Sequence, residues 1–210
     1  MGVDTVITRA DLGVTARGAA LDVLVNEFRV SAASGSSLAV APAPVRVLVR
    51  YDEHGGVSYQ GAGIGECASL TSTVAEATRD LWVRVPARVG VGDKWRDSAA
   101  VELCRDGIPL TAVLVREYTL VAGDRPDSLA TLTISRRSQV SISGVGNLRG
   151  EPVEIRARGT GEAMLRWSAA SGWLQAAEGE SHLVLEAFGG GRTQLVEQQV
   201  TFSAGRAVRD

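Results

Sequence analysis

Apolar and polar side chains alternate along most of this chain, in stretches separated by clusters of Gly, Asp and Ser. A period of two sends successive side chains to opposite faces, so each stretch reads as a half-buried β-strand and the whole as a mostly β fold. Candidate strands run 4–9, 20–30, 45–51, 57–62, 99–105 and 109–121, then 129–143, 153–157, 163–168, 173–177, 181–188 and 192–202. The longest hairpin joins 110–121 to 129–142 through Ala122-Gly123-Asp124-Arg125-Pro126-Asp127-Ser128, a run of turn formers. With 210 residues, 45% of them hydrophobic, the chain is long and apolar enough to build a core without staples. We read residues 1–210 as one domain, with a weak division at 144–150, where Gly-Val-Gly-Asn-Leu-Arg-Gly is either a sheet bend or a break.

One segment departs from the strand period. Leu70, Val74, Ala77 and Leu81 recur at spacings of 4, 3 and 4, the stripe of an amphipathic helix. Thr73 and Glu76 fit a capping box, and Pro86 lies beyond the end. The expected architecture is a single curved antiparallel sheet or half-barrel, with one α-helix, Leu70 to Trp82, packed on its concave face. Trp82 and Trp95 would anchor that helix to the sheet. If the helix and side chains fill the concave face incompletely, an apolar groove remains.

Motifs for chemistry are sparse. The formal charge is −2 and no segment concentrates basic residues, which argues against nucleic acid as a partner. No run approaches the length of a transmembrane helix, and residues 1–5 lack the basic and apolar regions of a signal peptide. The two histidines fall in a turn (His54) and in a strand (His182), neither within a triad motif. Gly61, Gly63 and Gly65 miss the dinucleotide-binding spacing, and Gly189-Gly190-Gly191 reads as a turn. Asp93, Asp97 and Glu102 match no metal-ligand spacing and read as surface charges around a turn. Trp167 and Trp173 would face each other across a hairpin, either as a sugar platform or as a packing pair. Cys67 and Cys104 are either two buried thiols or one disulfide closing a loop of about 38 residues. The sequence therefore calls for no catalytic residue, metal or cofactor.

Leu81-Trp82-Val83-Arg84-Val85-Pro86 followed by Val89-Gly90-Val91-Gly92-Asp93-Lys94-Trp95 resembles a V-x-V-G-D-x-W passage of uncharacterised bacterial exported domains and lipoproteins, broadly similar to LolA-like lipoprotein carriers. Weaker echoes lie at Cys67, Cys104 and Gly159-Thr160-Gly161. The resemblance implies a curved sheet, a periplasmic or extracellular location with the leader absent from this chain, and a bond between Cys67 and Cys104. A cytoplasmic location stays open. The expected function is a non-enzymatic cell-envelope protein that binds a lipid-like ligand or an apolar partner segment at Leu70, Val74, Ala77, Leu81, Trp82 and Trp95. The alternative is a structural or assembly module with a filled core, contacting another envelope protein; a carbohydrate-binding domain or an enzyme ranks below both.

Overall fold

The computed structural model describes residues 3–17, 20–40, 45–51, 57–60, 81, 83–105, 107–123, 131–148 and 150–206. Among the described residues, eleven strands form one sheet: β1 (Val3–Arg17), β2 (Ala20–Ala32), β3 (Ser37–Val40), β4 (Val45–Tyr51), β5 (Val57–Gln60), β6 (Lys94–Arg105), β7 (Ile108–Gly123), β8 (Thr131–Leu148), β9 (Glu151–Ser168), β10 (Trp173–Gly189) and β11 (Arg192–Arg206). Their order is β5-β4-β2-β1-β11-β10-β9-β8-β7-β6, with β3 pairing β2 off this path.

The sheet is mixed, which corrects the expectation of an antiparallel one. β1 runs parallel to β11, from Val3 opposite Leu195 to Val14 opposite Arg206, while the other neighbours are antiparallel. Alternation encodes which face a residue takes, and it is silent about strand direction.

Curvature follows from which residues meet. Leu12, Val23, Val47 and Val49 from β1, β2 and β4 share one core cluster with Tyr118, Ile134 and Leu165 from β7, β8 and β9. One continuous cluster across strands so far apart in the sheet order, with side chains fully excluded from solvent at both ends of it, fits a sheet curled into a half-barrel. Val23, Val47, Val49, Ile134 and Leu165 are fully excluded from solvent. Each such side chain contributes roughly 1.5–3 kcal/mol of transfer free energy.

Glycines on the inner face permit the tight coil. A Cβ at Gly159 would lie 2.5 Å from the carbonyl oxygen of His182 and 2.8 Å from Leu183 Cδ1. One at Gly179 would meet the Glu162 carbonyl at 2.6 Å and the Phe202 ring at 2.8 Å. These residues lie inside long strands, where the sequence pattern ends one strand and begins another. β9 and β10 each run unbroken through the expected gap, because only a residue without a side chain lets the neighbours approach so closely. Residues 144–148 finish β8, and Gly150, at φ +87°, turns the chain into β9.

The helix expected over Leu70 to Trp82 falls, except for Leu81, outside the described residues, as do Cys67 and its pairing with Cys104. No helix among the described residues is long and apolar enough to cross a membrane.

Candidate functional site on the inner face

Parity through the ladders defines the inner face. On β7 the even residues from Ile108 to Leu120 point inward, opposite the even residues of β8 and the odd residues of β6. At one end this face is close-packed. Leu81 is 2% exposed within the first core cluster, with Val85, Val89 and Trp95 packed against it. Of the other predicted ligand contacts, Leu70, Val74, Ala77 and Trp82 lie outside the described residues.

The approach to Trp95 explains the V-x-V-G-D-x-W passage. Asp93 N–H donates to Gly90 O at 3.0 Å, closing a turn whose third residue, Gly92, has φ +92°. That positive φ is the glycine position of a type II turn. Gly92 N–H then donates to Leu120 O at 2.8 Å and Leu120 N–H to Asp93 O at 3.0 Å, two residues facing one as in a glycine bulge. The Asp93 carboxylate accepts Gly90 N–H at 2.7 Å. The chain thereby enters β6 with Trp95 turned inward, stacked on Tyr118 at 5.3 Å between ring centroids. The Trp95 indole Nε1 is buried with no hydrogen-bond partner among the described residues.

Beside this stack the inner face holds a polar group that motif reading passed over. Arg116 Nε donates to Asp97 Oδ1 at 2.7 Å, and Tyr118 Oη donates to Asp97 Oδ2 at 3.1 Å. Arg136, 2% exposed, sits opposite Tyr118 on β8. Asp97 thus pairs inward, which corrects its reading as a surface charge; Asp93 and Glu102 are exposed, as expected. The signal was available in sequence: 116 and 136 fall in the same alternating phase as Leu114, Tyr118 and Ile134.

Burial is the main cause that pushes the Tyr118 phenol above its ordinary pKa; Asp97 adds to the rise, while Arg116 and Arg136 oppose it. A raised folded-state pKa stabilises the fold below the pH, about 10, at which a free tyrosine ionises, and that contribution is lost as pH rises further. Denaturant melts between about pH 9 and 12 should show stability falling through that window, and Tyr118→Phe should flatten the fall.

Beyond the polar group the inner face turns apolar again and is only half covered. Val101, Leu114, Val140, Ile142, Leu183 and Leu185 are half-buried there, next to a second small cluster of Ile108, Leu110, Val153 and Ile155. The outer face is mostly polar, with Val113, Val145 and Met164 as exposed exceptions. It carries an open groove of about 770 Å³ lined by Glu117, Arg137, Gln139, Thr160 and His182, and another of about 630 Å³ lined by Arg9, Asp11, Glu162 and Glu178. His182 Nε2 lies 3.9 Å from Glu197 Oε2, beyond hydrogen-bond reach. No group of three or more His, Cys, Asp or Glu residues suited to a metal ion occurs among the described residues. The two indoles of the β9–β10 hairpin do not face each other: Trp167 is opposite Leu174, and Trp173 is opposite Ser168. That register pairs the two indoles neither as a sugar platform nor as direct cross-strand partners; both pack against the first core cluster instead.

Comparisons with known protein families, curated proteins and solved structures find no match.

Proposed function

We propose that this chain is a non-enzymatic cell-envelope protein whose half-barrel receives an acyl chain or a comparable apolar segment along the inner face of β6 to β10. The observation that carries the reading is the half-covered row from Val101 to Leu185, which continues inward-facing past a core already filled at the other end. Folding gives no reason to keep such a row accessible, and apolar inner surface of this kind is a binding surface. The V-x-V-G-D-x-W resemblance supports the envelope compartment.

The test is saturable binding of cis-parinaric acid, with native mass spectrometry of protein purified from its own source. Leu183→Glu, on the inner face, should weaken binding at least about tenfold, since a carboxylate there is desolvated against the ligand. Val113→Glu, on the outer face and 44% exposed at present, should leave it unchanged. No saturable binding together with no copurified lipid would overturn the reading.

A further inference from the structure

The two ends of the sheet differ. β5 is four residues long, whereas β6 is twelve, with no proline and no register shift against β7. Among the described residues β6 pairs only with β7. Long, regular, uninterrupted edges are what natural sheets ordinarily avoid, using short strands, prolines, bulges or inward charges. β6 does carry charges, but the inward Asp97 is satisfied by Arg116 and Tyr118 within the same chain, and the exposed Lys94, Arg96 and Glu102 are of mixed sign, so they can pair with a second strand instead of repelling it.

The edge is also self-complementary. Leu120 N–H bonds to Asp93 O, which sets the phase of the β6–β7 ladder. Odd residues of β6 then bond to β7, and even residues turn their backbone groups to the free edge. An antiparallel pairing of two β6 strands about Ala99 joins even residues to even residues, as this phase requires. It places Arg96 of each copy opposite Glu102 of the other on the outer face, and Trp95 opposite Leu103 on the inner face. It is also the pairing of greatest overlap that makes those charges meet, spanning 94–104 on both strands. Arg96, 64% exposed, already approaches Glu117 at 3.9 Å, so the dimer would extend that contact into an alternating Glu117, Arg96, Glu102 row.

From these features we infer that the occupant of the β6 edge is a second copy of this chain, paired antiparallel and in register about Ala99. The dimer is isologous and merges two half-barrels through a continuous sheet. It does not depend on what the inner face holds.

Light scattering on size-exclusion fractions across a dilution series tests it. The wild type should be dimeric. Arg96→Glu and Glu102→Arg should each raise the dissociation constant by about tenfold, because each replaces two attractive cross-strand pairs with two repulsive ones. The double variant R96E/E102R should restore wild-type dimerisation. Amide exchange adds a reading without mutation: the N–H groups of residues 96, 98, 100 and 102 should be protected in the dimer and become exposed on dilution. A chain monomeric up to ~1 mM, a double variant that stays dissociated, or edge amides protected at every concentration because the chain covers its own edge, would each overturn the proposal.

Discussion

Replacing Gly159 by valine should cost the fold about 3 kcal/mol, enough to remove a large fraction of the stability of an ordinary domain. The cause is local and severe. The first added carbon would stand 2.5 Å from a backbone oxygen, and backbone cannot swing aside as a flexible side chain can. Gly159→Ala should therefore also destabilise, though by less. Gly205→Ala is the control: a Cβ there meets nothing within 4 Å and the backbone takes no positive φ, so the change should stay within about 0.5 kcal/mol of wild type. Urea melts of the three variants decide the matter. If Gly159→Val unfolds at the wild-type midpoint, the inner face does not coil as tightly as described.

The second large effect concerns Asp97 and Arg116. Asp97→Ala should destabilise by about 3 kcal/mol, because it removes the carboxylate from a guanidinium that is only 5% exposed. Arg116→Met should cost less. The carboxylate left behind is 23% exposed, can reach water, and keeps the Tyr118 hydroxyl. The double variant Asp97→Ala/Arg116→Met should recover most of the loss, since two apolar groups replace both charges. A thermodynamic cycle from chemical denaturation measures this directly. Equal costs for the two single variants would mean that solvent reaches Arg116 as readily as Asp97.

Both predictions concern residues whose roles were unevenly legible in the sequence. Alternation from Ile108 to Leu120 placed β7 almost to the residue. The same phase marks Arg116 as inward, a signal that lies outside motifs built on His, Cys and acidic clusters. Gly159, Gly161 and Gly179 were read as breaks, since a glycine that ends a strand and one that lets strands crowd together look alike in sequence. The start of β6 was missed for another reason. Lys94-Trp95-Arg96-Asp97-Ser98 is too polar to read as a core strand, yet an edge strand buries little. Ser37 to Val40 is only four residues long, too short to display an alternation of its own. The partnership of β1 with β11 was not legible at all, because nothing local records a neighbour about 190 positions away, the separation across the Gln198–Thr8 hydrogen bond.

That partnership governs how the chain must assemble. Strands β1 to β5 form one patch and β6 to β11 another, and the ladder between β1 and β11 is the seam of the sheet. The last of the described strands in chain order, β11, is therefore the keystone that unites them. Until residues 192–206 emerge, the first patch waits with the flank of β1 open. Closing so large a loop late should make seam formation the slow phase of refolding, and this is the interval in which a chaperone would have most to protect.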